Sequence, residues 1–290
     1  MTKWLIIGAS SFTGRHFCEY LQERGESVHR ASLSSFRHDD MDYVVNFAAA
    51  NVVAPSWMYP ELYLETNVVK LATLLTWLKG QPIKRYVHIS TPEVYGSTKG
   101  WVKEDADFNP STPYATSRAA AELLCRVYAK QYGLPVVVTR SCNVYGPGQQ
   151  LYRFIPKLIA TIKRGLKFPL EGDGASWRSF LYVTDVCDAI YRVAMYGQNG
   201  EAHHISHDYP TSIKYLARMV CKRMDADPSL VLYPAPDRPG KDEFYQLDSN
   251  KIRSLGWGQQ VSLEEGIDRT IAWMEQNWDK LQHESMEFKI

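Results

Sequence analysis

Tyr114 and Arg118 are the two residues whose types and spacing most directly suggest catalysis. They stand four positions apart in an alanine-rich stretch, so on an α-helix they lie on one face, a single turn apart. A phenol accepts a proton near neutral pH only if its phenolate is stabilised, and a cation one turn away does this. The pair therefore predicts a general base, although a lone tyrosine on a helix is more often structural.

A glycine-containing loop follows the first apolar run of the chain. Gly8 and Gly14 have the spacing of the outer glycines of a G-x-x-G-x-x-G loop, with Ser11 in the middle position. Glycines here let the backbone turn sharply and approach a pyrophosphate, which then lies over the amides of the following helix. An ordinary turn is the alternative, but the strand before and the helix after favour a dinucleotide site. Its predicted residues are Gly8, Ser10, Ser11, Phe12, Thr13 and Gly14.

The expected end of the second strand carries no carboxylate. An acid about 20 residues beyond the loop usually binds the ribose of NAD, but residues 30–37 read Arg-Ala-Ser-Leu-Ser-Ser-Phe-Arg. Arg30 and Ser32 suit the 2′-phosphate of NADP, although a solvated surface arginine explains Arg30 equally well. We therefore predict NAD or NADP, with a slight preference for NADP. The other predicted cofactor-binding residues are Asp40, Ala48, Tyr114 and Arg118.

The elements that must position these residues alternate between short apolar strands and amphipathic helices. Such strands indicate a parallel sheet covered on both faces, a Rossmann-type doubly wound α/β fold. Eleven residues separate Ala31 from Tyr43, too few for a helix and a strand, so one βα step is predicted to be missing. The predicted strands are 4–7, 27–31, 43–47, 84–90 and 134–140. Three helices are predicted: one that follows the glycine loop and ends near residue 24, one over 66–79 and one over 114–132.

The chain is predicted to have two parts, a cofactor-binding core over residues 1–149 and a smaller C-terminal α/β lobe over residues 150–290. Glycine and proline become frequent after about Gln149, and some later segments are expected to return to the core. Ser262-Leu-Glu-Glu265 has the pattern of a capping box that opens a terminal helix. The second part is predicted to bind most of the substrate.

Composition excludes several classes of function. The 290 residues carry a formal charge of +1, with 45% hydrophobic and 22% charged residues, so no global field attracts nucleic acid or acidic lipid. The five cysteines are scattered and never form C-x-x-C, which argues against disulfides and a metal site. The apolar run at the N-terminus is too short for a signal peptide, and no stretch has the length of a membrane span. We therefore expect a cytoplasmic protein with no nucleic-acid or membrane partner.

Further motifs give the sequence a resemblance to a known family. Ser90-Thr-Pro-Glu-Val-Tyr-Gly96 ends a predicted strand, and Tyr114-Ala-Thr-Ser-Arg118 opens a helix. With the glycine loop, they resemble the extended short-chain dehydrogenase/reductase family, and its nucleotide-sugar 4,6-dehydratase branch most of all. The segment 237–257 is particularly similar to dTDP-glucose 4,6-dehydratases, whereas 30–36 is more similar to the NADP-using GDP-mannose enzymes. Other motifs in the family's order are Ala48-Ala49, Glu65-Thr-Asn67, Arg140-Ser-Cys-Asn-Val-Tyr-Gly-Pro147, Gly172-Asp-Gly174 and Arg178–Asp185.

The resemblance implies a role for each of these residues. Tyr114, assisted by Arg118, would deprotonate the C4 hydroxyl of a nucleotide-diphosphate sugar while hydride passes to the nicotinamide. Thr91 would hydrogen-bond that hydroxyl, and Glu93 would remove the C5 proton, which becomes acidic once C4 is a ketone. Arginine forks suit the two phosphates of the substrate. By resemblance the substrate-binding residues are Thr91, Asn143, Arg153, Arg178 and Arg238.

Three positions depart from the family pattern. Ser11 replaces the middle glycine, and Arg118 replaces a lysine that contacts the nicotinamide ribose, for which a guanidinium has a different geometry. Pro92 stands where the dTDP-glucose enzymes have an acid that protonates the departing C6 hydroxyl, and proline offers no side-chain donor. Losing general-acid help costs roughly two to four orders of magnitude in rate if nothing replaces it.

These departures leave three functional hypotheses. The first is a nucleotide-sugar dehydratase, the second an epimerase on the same class of substrate, and the third a Rossmann cofactor sensor or scaffold without turnover. The family implies a homodimer formed by two helices from each subunit. Apolar residues on the two predicted helices suit that contact, although burial within one subunit would explain them equally well. They are Leu71, Leu74, Leu75 and Leu78 on the first helix, and Leu123 and Val127 on the second.

Overall fold

The computed structural model describes residues 1–98, 100–237, 244 and 246–288. Its strands, in chain order, are β1 (Lys3–Ile7), β2 (Ser27–Ala31), β3 (Tyr43–Asn46), β4 (Arg85–Ser90), β5 (Trp101–Val102), β6 (Val136–Ser141), β7 (Asn143–Tyr145), β8 (Phe168–Glu171), β9 (Trp177–Arg178), β10 (Phe180–Tyr182), β11 (Ala202–Ile205), β12 (Thr211–Ser212), β13 (Leu232–Ala235) and β14 (Gln246–Leu247).

The helices connect these strands and cover them. The α-helices are α1 (Phe12–Glu23), α2 (Pro60–Leu64), α3 (Lys70–Leu78), α4 (Pro113–Tyr132), α5 (Phe154–Lys163), α6 (Val183–Tyr196), α7 (Ile213–Arg223), α8 (Pro228–Val231), α9 (Asn250–Arg253), α10 (Leu263–Gln276) and α11 (Trp278–Leu281). Short 3-10 turns span Ala54–Trp57, Pro92–Tyr95 and Gly172–Gly174, and a π-turn spans Glu65–Val69.

A six-stranded parallel sheet in the order β11-β6-β4-β3-β1-β2 forms the centre of the fold. Helices α1 and α6 pack on one face, and α3 and α4 on the other. The predicted doubly wound α/β class is confirmed. The strands are as apolar as predicted because both faces of the sheet are covered, and Leu5, Val44 and Val87 are fully buried.

The predicted loss of one βα step is visible in the sheet order. β2 is an edge strand, and the chain crosses from it directly to β3 on the other side of β1. Residues 32–42, all of them described, contain only a small turn closed by a bridge between Ser32 and Ser35. Successive strands are added on one side of β1 up to β2 and on its other side from β3 onward. At this switch point a crevice opens at the carboxyl ends of β1 and β3, where doubly wound sheets bind ligands.

The helix predicted over residues 66–79 begins earlier and is interrupted. α2, the π-turn and α3 run consecutively from Pro60 to Leu78. In the π-turn, the buried Asn67 side chain bonds both the N–H and the carbonyl of Ala50 and donates to Ser117 Oγ at 2.9 Å. The π-turn therefore connects the loop after β3 to α4, the helix that carries Tyr114.

The second half of the chain builds a separate hydrophobic cluster around α5, α7 and α10. β11 nevertheless joins the main sheet beside β6, and α6 packs against α1. The terminal helix α10 begins at the predicted cap, where Ser262 Oγ accepts from Glu265 N at 3.1 Å. All five cysteines are buried thiols without disulfides. Within the described ranges, no helix combines the length and the hydropathy needed to cross a bilayer.

Candidate active site

A cleft of about 380 Å³ opens at the carboxyl edge of the main sheet, against the C-terminal cluster. Its walls come from the start of α1, the loop after β3, the turn after β4, the first turn of α4 and the segment from β6 to α5. The chain thus brings residues far apart in sequence to one site, as the topology around β1 predicts. The predicted residues that line it are Ser11, Phe12, Thr13, Thr91, Glu93, Tyr114, Asn143 and Arg153.

The glycine loop forms a tight cradle at the N-terminus of α1. Gly8 has φ 79°, and a Cβ there would lie 2.6 Å from the backbone nitrogen of Ala48. A Cβ on Gly14 would lie 2.4 Å from the Gly8 carbonyl oxygen. Ser11 caps α1, and its Oγ accepts from Gly14 N at 3.2 Å. The serine therefore folds back onto the helix and keeps the close backbone approach that a pyrophosphate requires, so the cradle fits a dinucleotide.

The edge beside the cradle carries the residues predicted to select the cofactor. Gly8 N donates to the carbonyl of Ala31 at 2.9 Å, so Arg30 and Ser32, both exposed, flank the loop. Asp40 does not join them. It forms an exposed ion pair with Lys3, the first residue of β1, at the amino edge of the sheet opposite the cleft. The short connection from β2 to β3 must return to that edge to begin β3, and this carries Asp40 away from the cofactor loop.

The turn after β4 presents Thr91 and Glu93 to the cleft. Thr91 caps the 3-10 turn, and its Oγ1 accepts from Glu93 N at 3.3 Å. Pro92 occupies the first position of that turn, where a missing N–H and a fixed φ are favourable. The proline thus suits the backbone but leaves no side-chain acid beside Glu93. Of the described residues that line the cleft, Glu93 alone is a carboxylate.

Tyr114 lies in the first turn of α4 and is 7% exposed. Thr112 caps the helix, with its Oγ1 accepting from Ala115 N at 3.1 Å. Burial raises the pKa of the Tyr114 phenol, and the charge of Arg118 is the main opposing effect. A hydrogen bond with Thr91 and the charge of Arg153 also lower this pKa, whereas Glu93 raises it. Two cations, a hydroxyl and a carboxylate therefore all affect the pKa of this one phenol.

Arg118 does not enter the cleft. Its side chain is 3% exposed, its Nη2 donates to the carbonyl of Ile89, and the same nitrogen lies 3.5 Å from His88 Nε2. It is absent from the described residues that line the cleft. The spacing correctly places Arg118 one turn below Tyr114, but the longer guanidinium extends beneath β4 instead of toward the cofactor space.

A second buried arginine, Arg140 of β6, pairs with Glu122, which lies one turn farther along the same face of α4. Glu122 and Arg140 are both fully buried, and their ion pair has an Nη2–Oε2 distance of 2.7 Å. Arg140 also donates to Tyr95 Oη and, at 2.9 Å, to the carbonyl of Glu104. Because Ser90 Oγ donates to Glu122, this network braces β4 immediately before Thr91. The residue types alone gave no signal for this long-range pairing.

The predicted substrate residues are only partly brought together. Asn143 Nδ2 donates to the carbonyl of Ser179 at 3.3 Å, and Arg153 Nη2 donates to Asn51 Oδ1 at 2.9 Å; both line the cleft. Arg178 lies on β9, where its Nη1 donates to the carbonyl of Trp177, and is not part of the lining. Arg238 falls outside the described residues.

Several polar residues line the cleft without having been predicted. They come from two segments, the loop after β3 and the stretch that follows β7. The second segment carried a usable signal, because amide side chains directly after a motif at a strand end are placed at a ligand edge. The residues are Asn51, Gln149, Gln150 and Tyr152.

Comparison with known proteins agrees with this geometry. Residues 30–206 match the NAD dependent epimerase/dehydratase family. An Arabidopsis thaliana trifunctional UDP-glucose 4,6-dehydratase/UDP-4-keto-6-deoxy-D-glucose 3,5-epimerase/UDP-4-keto-L-rhamnose-reductase is 36% identical over 245 residues, covering 82% of this chain and 36% of that protein. The chain thus spans little more than a third of that relative. The human dTDP-D-glucose 4,6-dehydratase is 34% identical over 249 residues, covering 84% of this chain and 71% of the enzyme.

Solved structures give the same result. A dTDP-glucose 4,6-dehydratase from Streptomyces venezuelae, crystallised with NAD bound, superimposes with a TM-score of 0.88 at 31% identity, over 95% of this chain and 98% of the other. The fold is therefore similar to that of an NAD-binding dTDP-glucose 4,6-dehydratase over nearly the whole chain. The chain belongs to the NAD dependent epimerase/dehydratase family, within the nucleotide-sugar 4,6-dehydratase branch of the extended short-chain dehydrogenases/reductases.

Proposed function

We propose that the protein is an NAD(P)-dependent nucleotide-sugar 4,6-dehydratase. The observation that carries the proposal is the convergence of Thr91, Glu93 and Tyr114 on one cleft beside the glycine cradle. A phenol that can act as a base and a carboxylate are what an oxidation followed by an elimination requires. Residues 150–290 would supply most of the nucleotide-sugar site, with Asn143 and Arg153 at its inner end and Arg178 and Arg238 as further phosphate ligands.

The residues of the chain divide the proton transfers between them. Tyr114 takes the proton of the C4 hydroxyl, which Thr91 orients. When bound, the nicotinamide would accept hydride from C4 and return it to C6. The C4 ketone makes the C5 proton acidic, and Glu93 removes it. The C6 hydroxyl then leaves as water with the proton that Glu93 has taken, and C5 regains a proton, which balances the one that Tyr114 took, as hydride returns to C6. Burial of Tyr114 excludes solvent from the phenol, so that its proton exchanges with the substrate.

Pro92 supports a second candidate, a nucleotide-sugar epimerase. The position beside Glu93 has no acid to protonate a leaving hydroxyl, whereas epimerisation at C5 needs only the removal and return of a proton. The substrate class and the first oxidation step are the same in both reactions. A cofactor sensor without turnover is the third candidate, and retention of all three cleft residues argues against it.

Product mass separates the candidates. We would incubate the purified protein with dTDP-, UDP-, GDP- and CDP-sugars and follow the products by mass spectrometry. Dehydration removes the mass of one water, epimerisation leaves the mass unchanged, and a sensor gives no product. Tyr114→Phe should lower turnover by roughly two to four orders of magnitude. Tyr128→Phe is the matched control, since Tyr128 lies on the same helix and contacts Thr76, away from the cleft. Unchanged turnover in Tyr114→Phe would overturn the mechanism.

For the cofactor we propose NADP in preference to NAD. The reasons are the exposed Arg30 beside the cradle and the lack of a carboxylate among residues 30–37. Arg30→Gln should then weaken NADPH binding about tenfold and leave NADH binding unchanged, because the guanidinium would contact only the 2′-phosphate. Arg37→Gln serves as the control. Equal affinities of the wild type for NADH and NADPH would contradict this preference.

We propose that the protein is a cytoplasmic homodimer. Leu71, Leu74, Leu75 and Leu78 are buried within one subunit and are not available to a partner. An exposed apolar surface does lie along α2, the π-turn and α4, and it suits a self-complementary contact. Its members, with exposed fractions from 38% to 67%, are Trp57, Met58, Tyr59, Leu62, Leu64, Val69, Leu123, Val127 and Tyr132.

Sedimentation tests the dimer. Val127→Lys should produce monomers, because it places a charge on a residue of that surface that is 58% exposed. Leu230→Lys is the control, since Leu230 is 70% exposed on α8, in the C-terminal cluster. A monomeric wild type, or a dimer that survives Val127→Lys, would contradict this interface.

A further inference from the structure

The position of Arg118 is unusual for a cation that assists a catalytic base. The guanidinium is buried beneath β4, and its described partners are the carbonyl of Ile89 and His88 Nε2. Its Nε finds no hydrogen-bond partner in the part of the chain that the structure describes. Among the described residues, Arg118 takes part in no ion pair, although buried charges are normally paired. An unneutralised buried cation favours any anion that forms nearby, and the Tyr114 phenolate forms one helical turn away.

His88 provides part of the site that holds this cation. An arginine can only donate, so His88 Nε2 must be the accepting nitrogen and Nδ1 must carry the proton. Nδ1 lies 3.1 Å from Tyr86 Oη, which lies 3.4 Å from Asn46 Nδ2. Burial and the charge of Arg118 lower the pKa of His88 well below its usual value, so the imidazole stays neutral. The His88 tautomer is thus fixed by groups on both sides.

We propose that Arg118 acts on Tyr114 through its charge alone, from a site formed by the Ile89 carbonyl and the His88 imidazole, and that it does not contact the cofactor. In this proposal His88 is a positioning residue. The lysine of the family pattern is implied to do two things, to stabilise the phenolate and to contact the nicotinamide ribose. This chain would keep the first and lose the second.

Other charged and titratable groups also surround Tyr114, so the test must separate the effect of Arg118 on the phenol from theirs. Arg118 lies on its own helix, Glu93 on the turn after β4, and Arg153 at the start of α5. Tyr63 of α2 packs edge-on against the Tyr114 ring with centroids 6.2 Å apart. Of the two cations, Arg118 lowers the pKa of Tyr114 more, so removing it should have the larger effect.

The decisive experiment compares cofactor affinity with the pH profile in Arg118→Met. We expect the acidic limb of kcat/KM to move upward by at least about one pH unit, so that kcat/KM falls about tenfold at neutral pH and recovers at higher pH. The Kd for NADH and for NADPH, measured by fluorescence, should stay within about twofold of wild type. A tenfold weaker Kd, or an unmoved pH profile, would overturn the proposal.

His88 variants test the positioning role independently of the arginine. His88→Leu removes the acceptor and should move the acidic limb in the same direction by a smaller amount, whereas His88→Gln keeps a neutral acceptor and should restore it. His203→Gln is the control, since His203 is equally buried but its ring has no hydrogen-bond partner among the residues described. These variants decide the matter if Arg118→Met does not fold. Equal pH profiles for His88→Leu and His88→Gln would show that His88 has no such role.

The inference relies on the proposed function only for its kinetic readout. If no nucleotide sugar is turned over, the proposed function fails, and phenolate absorbance replaces the pH profile. Titrating Arg118→Met and wild type, each against its Tyr114→Phe counterpart, isolates the Tyr114 phenol. A higher pKa in Arg118→Met together with an unchanged NADH Kd supports the inference, and an unchanged pKa overturns it.

Discussion

Two buried clusters beneath the cleft are built from the same residue types and behave differently. The Arg118 cluster consists of Arg118, His88, Tyr86 and Asn46, and the Arg140 cluster of Arg140, Glu122, Tyr95 and His204. Each combines an arginine, a tyrosine and a neutral histidine, joined by hydrogen bonds. Only the Arg140 cluster, among these described residues, contains a carboxylate.

The carboxylate decides what each arginine can do. Glu122 neutralises Arg140 and fixes its guanidinium through contacts to both Nε and Nη2. The charge of Arg140 therefore stabilises the fold and is not available to stabilise a phenolate. Arg118 keeps its charge unneutralised one turn from Tyr114, which costs stability but favours a phenolate. One helix face, with Tyr114, Arg118 and Glu122 at successive turns, thus carries the base, its electrostatic support and the anchor that holds β4 in place.

Removing Arg140 should have the largest effect on stability. Arg140→Met leaves the buried Glu122 with only the half-exposed Arg126, whose Nη2 lies 3.9 Å from Oε2, as a counter-charge, and we expect the free energy of unfolding to fall by about 3–5 kcal/mol in urea titrations. Arg118→Met is the matched control and should change stability by less than about 1 kcal/mol, because it strands no charge. Equal losses in the two variants would mean that the clusters do not differ in the way described.

Removing the hydroxyl of Tyr95, in the Arg140 cluster, should cost more stability than removing that of Tyr86, in the Arg118 cluster, and both losses should be smaller than that of Arg140→Met. Tyr95 Oη accepts from Arg140 and donates to His204 Nε2 at 2.7 Å, while His204 Nδ1 donates to the carbonyl of Asp248. Tyr95→Phe leaves two buried groups short of a partner and should cost about 1–3 kcal/mol.

Tyr86→Phe breaks longer contacts, of 3.1 and 3.4 Å, and should cost about 1 kcal/mol or less. Thermal and urea unfolding of both variants check this order. If Tyr86→Phe lost more free energy of unfolding than Tyr95→Phe, the hydrogen bonds of the Arg118 cluster would be the stronger ones, contrary to this comparison.

The sequence was sufficient for the main strands and helices of the first half of the chain, apart from the interrupted helix at 66–79, but not for the directions of long side chains. The strand predicted over 84–90 is β4, and the eleven-residue gap correctly predicted the missing βα step, because both follow from local periodicity and length. Spacing placed Arg118 on the face of Tyr114, yet whether it enters the cleft depends on acceptors from β4. Asp40 was predicted to bind the cofactor, but the return of the loop to β3 carries it to the opposite edge of the sheet, where it pairs with Lys3.

Acid should weaken the fold through buried histidines, and His203 offers the clearest measure. Burial lowers the pKa of His203 from 6.5 to about 4, and that of His204 to about 3. In both cases the folded value lies below the unfolded one, so the unfolded chain binds the proton first and stability falls as pH decreases from about 6.5 toward the folded pKa.

Each such histidine should contribute a slope of about 1.4 kcal/mol per pH unit in that window. His203 belongs to neither cluster, and both of its ring nitrogens lack hydrogen-bond partners within the described ranges. His203→Leu should therefore leave stability at pH 7 unchanged or higher, and should reduce the pH dependence of stability in acid by the contribution of one proton. Tyr95→Phe should retain the slope, because it leaves His203 and His204 buried. If the acid slope of His203→Leu matched that of wild type between pH 6.5 and 4, the histidine would be charged or exposed in the native protein, and the acid sensitivity would have to come from the two clusters alone.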